Sequence, residues 1–123
     1  EGLTTDVYFV RTMEILRHMG LADTDVLAEI FPARDGVMAG VEEVANLLKG
    51  LPVKVWTLPE GEEFKAKEIV MQIEGPYSAF GVYETAILGI LTQSSGWATA
   101  ARECKKAAGD KPVFSFGARH VHP

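Results

Sequence analysis

Apolar positions recur along this chain at two spacings. Val7, Val10, Met13 and Leu16 stand three apart behind Thr4-Thr5-Asp6, whose short side-chain oxygens suit a helix N-terminus. The spacing predicts an amphipathic helix over residues 6–19, stopped by Gly20. After a turn at Asp23-Thr24-Asp25, residues 26–31 read as a strand. Residues 32–36 form a loop, and Val37-Met38-Ala39 can extend the sheet. Val41, Val44, Ala45, Leu47 and Leu48 then return to a helical spacing, closed by Gly50. Alternation over residues 53–58 predicts a half-buried strand, and Pro59-Glu60-Gly61-Glu62 a turn. Phe64 resumes a strand. Residues 68–74 give another, ended by Gly75-Pro76. The two runs and the turn between them read as a small sheet, with a hammerhead-like excursion.

Helix-compatible sequence fills residues 79–108, with Ser78 as its expected cap. One stripe holds Tyr83, Ile87, Ile90, Trp97, Ala101 and Cys104; its neighbour holds Glu84, Leu88, Leu91, Ser95, Ala98 and Arg102. Gln93-Ser94-Ser95-Gly96 interrupts the pattern. A kink or a break is expected there, because glycine costs about 1 kcal/mol against alanine inside a helix. Gly109-Asp110 closes the element. Val113 to Phe116 is short and apolar and reads as a buried strand. Gly117, Arg119, His120 and His122 follow at once. Open α/β folds and barrels build ligand sites in this way, at strand carboxyl ends.

The chain has 123 residues, which suits one domain, or one domain and a piece of the next. With 47% hydrophobic and 24% charged residues it can bury a core. A net charge of −5 argues against a nucleic-acid-binding face. The charge is uneven: residues 1–101 carry seven Lys/Arg against fifteen Asp/Glu, and residues 102–123 five against two. A basic end on an acidic protein fits a local anion site, or simply a solvated helix end at Lys105, Lys106 and Lys111. The single Cys104 excludes an internal disulfide, fits a cytoplasmic setting and is expected to pack within its helix. No apolar run approaches a membrane span and no signal sequence is visible; the start at Glu1 and the abrupt end suggest a fragment.

Candidate chemistry is sparse. His120-Val-His122 supplies two ligands, which do not make a metal site, and no metal is expected. Dinucleotide, Walker, Cys-x-x-Cys and nucleophile-elbow motifs are missing from the sequence. A carrier domain would present a lysine at a hairpin tip, and the tip here is Pro-Glu-Gly-Glu. Arg102 is either a surface arginine or one half of a clamp with Arg119, since two guanidinium groups hold a carboxylate or phosphate by paired hydrogen bonds. The residues alone stop at an anion-binding α/β unit.

Five separated motifs carry a resemblance. They are Thr5-Asp6-Val7-Tyr8; Tyr83-Glu84-Thr85-Ala86-Ile87-Leu88-Gly89; Ser95-Gly96 with Ala98-Thr99; Ala107-Ala108-Gly109-Asp110; and Ser115-Phe116-Gly117-Ala118-Arg119 with His122-Pro123. In this order, over nearly the whole chain, they resemble the archaeal and bacterial branch of nicotinate phosphoribosyltransferase. The resemblance implies the N-terminal α/β sandwich domain (α+β or α/β) of a type II phosphoribosyltransferase, over residues 1–110. Residues 111–123 would be the first strand and loop of an irregular α/β barrel.

The activity so implied joins nicotinate to phosphoribosyl pyrophosphate, giving nicotinate mononucleotide and pyrophosphate, with ATP hydrolysis coupled and Mg2+ accompanying the pyrophosphate. It implies a cytoplasmic homodimer or higher oligomer with its site at the subunit interface. By resemblance, Tyr8 would stack on the pyridine ring from the partner subunit. Arg102 and Arg119 would hold the product phosphate or the nicotinate carboxylate, and His120 is a further candidate. Ser115 stands where nicotinamide-specific relatives have an aspartate, and a neutral residue there suits a carboxylate substrate. Close relatives often carry Arg-Arg where this chain has Arg119-His120. The family's phosphorylated histidine lies beyond this chain, so no catalytic residue is expected in it, and the piece alone should be inactive. The rival expectations are a nicotinamide or quinolinate phosphoribosyltransferase and a non-catalytic binding or assembly module.

Overall fold

The computed structural model describes residues 4–117. It begins with helix α1 (Val7–His18), strand β1 (Asp25–Ile30), strand β2 (Gly36–Val37) and helix α2 (Val41–Leu48). Strands β3 (Lys54–Thr57), β4 (Glu63–Phe64) and β5 (Met71–Pro76) follow. A short helix α3 (Tyr77–Phe80) passes through a 3-10 turn (Gly81–Tyr83) into the long helix α4 (Glu84–Ala108). Apart from the strand expected at residues 113–116, the expected helices and strands are formed, with shifted ends. The element predicted over residues 68–74 starts later and runs through Gly75-Pro76.

The main sheet is antiparallel in the order β1-β5-β3. Val26 faces Gly75 and Ile30 faces Met71 in one ladder, and Val55 faces Ile73 in the other. Gly75 sits inside β5 because a Cβ there would lie 2.7 Å from the Pro52 carbonyl oxygen. Alternation puts Met71 and Ile73 on the inward face, where they are fully buried. They meet Val44 and Leu48 of α2, Ile87 and Leu91 of α4, and Met38, Phe64, Val70 and Phe80 in one core.

A second, two-stranded sheet pairs β2 with β4, Gly36 opposite Phe64 and Val37 opposite Glu63. The Pro-Glu-Gly-Glu turn thus closes no hairpin. It carries the chain from the main sheet into the small one. Gly61 turns with a φ of 84°, and its N–H donates to the Met38 carbonyl at 2.7 Å. The Glu60 carboxylate accepts from the N–H groups of both Gly40 and Val41 at 2.9 Å, satisfying donors at the start of α2.

Five expectations fail. The three-residue stripe of α1 does not face inward: Val7 is 63% and Val10 40% exposed, and the buried residues are Phe9 and Met13. Helix α4 runs through Gln93-Ser94-Ser95-Gly96 without interruption for 25 residues. Its inward face is Ile87, Leu91 and Ser95, which cuts between the two predicted stripes and leaves Trp97 56% exposed and Cys104 exposed. Ser78 makes no cap; its hydroxyl donates to Asp23 at 2.5 Å. Residues 113–116 form no strand, and Phe114 and Phe116 are each 76% exposed. A parallel barrel strand needs neighbours on both edges to bond its backbone, and the described residues provide none there.

Candidate functional site

The first cluster lies where α1 meets the start of α4. The Asp6 N–H donates to Thr85 Oγ1 at 3.1 Å, which pins the N-terminus of α1 against the first turn of α4. Phe9 and Met13 anchor the helix inward. Tyr8 is 55% exposed and its ring lies against that of Phe9, with centroids 4.1 Å apart. The Glu84 carboxyl lies above its ordinary range because burial disfavours the charged form and Asp6 adds repulsion. Desolvation, with the negative charge of Glu84 beside it, likewise raises the hydroxyls of Tyr8 and Tyr77. This corner is aromatic and acidic. An exposed tyrosine on a buried phenylalanine is a rigid face on which a flat ring can stack.

The second cluster is a polar seam along α4. Ser95, Thr99 and Arg102 stand four and three residues apart, on one helix face. Ser95 Oγ accepts from Ala39 N–H at 3.1 Å and donates to the Ala39 carbonyl at 3.3 Å. Thr99 Oγ1 accepts from Val37 N–H at 3.0 Å and donates to the Ser95 carbonyl at 2.7 Å. Arg102 Nη2 donates to the Gly61 carbonyl at 3.1 Å, while Nη1 pairs with the Glu63 carboxylate. The seam staples the small sheet to the long helix. It also explains the polar break at Ser94-Ser95: small side chains let the backbone of residues 36–40 come close. A Cβ on Gly36 would lie 2.8 Å from both Phe64 Cζ and Thr99 Oγ1.

The third cluster is the segment after α4. Lys105 Nζ donates to the Gly109 carbonyl at 2.8 Å and the Lys111 carbonyl at 3.1 Å, so this lysine caps the helix end. Ser115 is exposed, and its hydroxyl accepts from Gly117 N–H at 3.3 Å. Arg119, His120 and His122 lie outside the described residues.

One chain does not bring its candidates together. Tyr8 lies beside Glu84, at one end of α4, and Arg102 is eighteen residues further along it. At 1.5 Å per residue Glu84 and Arg102 are roughly 27 Å apart along the helix. Sequence reasoning named Ser95 and Thr99 only within a motif and did not find the contacts of these residues or of Glu63. Their partners lie 39 to 62 residues away along the chain, and no local pattern shows such pairings. Among the described residues, no group of three or more His, Cys, Asp or Glu side chains is placed to hold a metal ion. No helix among them is long and apolar enough to cross a membrane.

An antiparallel sheet with helices on its inner face, followed by a long helix, is the N-terminal fold of type II phosphoribosyltransferases. The chain belongs to the family described as quinolinate phosphoribosyl transferase, N-terminal domain, whose model matches residues 6–95. Among solved structures, it is 54% identical to the nicotinate-nucleotide pyrophosphorylase from Pyrococcus furiosus, over 99% of this chain and 33% of that one, with a TM-score of 0.92. Human nicotinic acid phosphoribosyltransferase shares the fold, at 20% identity and a TM-score of 0.82 over 91% of this chain and 30% of that one. Nicotinate phosphoribosyltransferase of Bacillus subtilis (strain 168) is 33% identical over 67 residues, 54% of this chain and 14% of that protein. The chain thus spans about a third or less of the relatives named here.

Proposed function

We propose that this chain is the N-terminal domain of a cytoplasmic phosphoribosyltransferase of NAD biosynthesis that joins nicotinate to phosphoribosyl pyrophosphate. The pyridine nitrogen bonds to the ribose C1, the bond from C1 to the pyrophosphate oxygen breaks, and nicotinate mononucleotide and pyrophosphate leave. The phosphoribosyltransferase reading rests on the family match and on the 54% identity over 99% of the chain to the nicotinate-nucleotide pyrophosphorylase from Pyrococcus furiosus. The observation that favours nicotinate is the 33% identity over 67 residues to the nicotinate phosphoribosyltransferase of Bacillus subtilis (strain 168). The pyrophosphorylase name covers nicotinate mononucleotide and pyrophosphate, which the nicotinate and the quinolinate reactions share, so it does not itself favour nicotinate. The family's description favours a second reading, in which the substrate is quinolinate and the same nucleotide forms with loss of CO2. The neutral Ser115 supports a substrate that carries a carboxylate under either reading.

The domain's part is binding. Tyr8 stacks on the pyridine ring of the partner's site, and Arg102 with Arg119 holds the phosphate or the ring carboxylate, with His120 beside it. Mg2+ and ATP serve the whole protein; no residue of this domain is assigned to them. The roughly 27 Å along α4 from Glu84, beside Tyr8, to Arg102 motivates the shared site. Mixing the inactive full-length variants Tyr8→Ala and Arg102→Ala under subunit exchange tests it. In a two-fold dimer the hybrids carry one intact site, so about a quarter of wild-type activity should return. If no activity returns from a demonstrated hybrid, the shared site is wrong.

A further inference from the structure

The two nitrogen edges of Arg102 are held in different ways. Nη2 donates to the Gly61 carbonyl, a backbone atom in a turn that is itself fixed by the Gly61–Met38 and Met38–Glu62 hydrogen bonds of 2.7 and 2.8 Å. Nη1 meets the carboxylate of Glu63, on a strand of two residues, with a side chain 62% exposed. The first contact is part of the fold. The second is an exposed ion pair of the kind that contributes little and exchanges readily.

We infer that Glu63 is an exchangeable stand-in for the anionic group of the ligand on Arg102. This rests on the reading of Arg102 as an anion-binding residue. A phosphate monoester or a pyridine carboxylate presents oxygens to the same Nη1 edge that Glu63 occupies. The Gly61 carbonyl keeps the guanidinium aimed while one anion replaces the other. A dianionic phosphate displaces a single carboxylate with a gain in charge attraction. Glu63 therefore sets the affinity of the site by competition, and it keeps the arginine paired when no ligand is bound.

The test uses the full-length protein and titrates nicotinate mononucleotide, nicotinamide mononucleotide and nicotinate. Glu63→Gln is isosteric at an exposed position and removes only the charge. It should tighten binding about two- to fivefold, the range expected for losing an exposed competing pair. Glu63→Asp keeps the charge and should stay near wild type, a split that a purely structural role does not produce. Tightening for both mononucleotides places the phosphate on Arg102; tightening for the two nicotinate-bearing ligands alone places the carboxylate there. Unchanged or weaker binding in Glu63→Gln overturns the inference. Arg102→Ala separates the two levels. If it weakens binding while Glu63→Gln fails to tighten it, only the stand-in is wrong. If it leaves binding unchanged, the anion role of Arg102 falls as well.

Discussion

Replacing Thr99 by valine keeps the volume and deletes one hydroxyl. That hydroxyl accepts from Val37 N–H at 3.0 Å and donates to the Ser95 carbonyl at 2.7 Å. The loss falls on Val37, which is buried and pairs at the edge of the small sheet. Leaving a buried donor without a partner costs about 1–3 kcal/mol. The opening of the Val37 amide should then become easier by the same amount, and its hydrogen exchange should accelerate roughly 5- to 150-fold. Thr92→Val is the control, because Thr92 is exposed on the same helix and should change stability by less than about 0.5 kcal/mol. Amide exchange followed by mass spectrometry or NMR reads both variants in the full-length protein. If Thr99→Val exchanges at Val37 like Thr92→Val, the seam does not hold the small sheet, and the account of α4 is wrong.

Other consequences follow from the same contacts. Glu60→Ala removes the acceptor for Gly40 and Val41 and should cost about 0.5–2 kcal/mol, the range of a lost helix cap, read as a lower denaturation midpoint. Glu84 has a folded-state pKa above its unfolded value, so it binds the proton more tightly when folded, and its contribution to stability falls as pH rises through that pKa. Glu84→Gln should therefore flatten the decline in melting temperature from mildly acidic to neutral pH; an unchanged pH profile would contradict the assignment. Asp35 behaves oppositely. The Ala66 N–H and then the Lys65 ammonium lower its carboxyl, so its stabilisation is present above the unfolded pKa and lost as pH falls through the folded one. Asp35→Asn should reduce the loss of stability on acidification.

Much of this architecture is legible in the sequence because it is local. The alternation of β3 comes from packing against the core, and side-chain periodicity records that directly. Pairing across distance is not recorded. Residues 57–64 look like a hairpin, yet β3 joins β5 and β4 joins β2, because the core is closed by pairing with later and earlier strands. The expected break in α4 fails for a related reason. Ser95 is a poor core residue by composition, but the backbone N–H of Ala39 satisfies its hydroxyl, and the helix continues through it. Val113 to Phe116 shows the reverse case. Its apolar pattern fits a strand, but a strand needs hydrogen-bonding neighbours that the described residues lack at that place.

Of the candidate site, residue types were visible and their company was not. Tyr8 and Arg102 were picked out by resemblance. The structure adds that Tyr8 lies beside Glu84 at the start of α4, that Arg102 lies eighteen residues further along that helix, and that Glu63 pairs with its guanidinium.

The reaction itself is tested most directly by giving the full-length protein phosphoribosyl pyrophosphate with nicotinate or with quinolinate and measuring the mononucleotide and pyrophosphate formed. The account predicts nicotinate mononucleotide from nicotinate, without release of CO2. Mononucleotide formed only from quinolinate, with one CO2 per turnover, would contradict it.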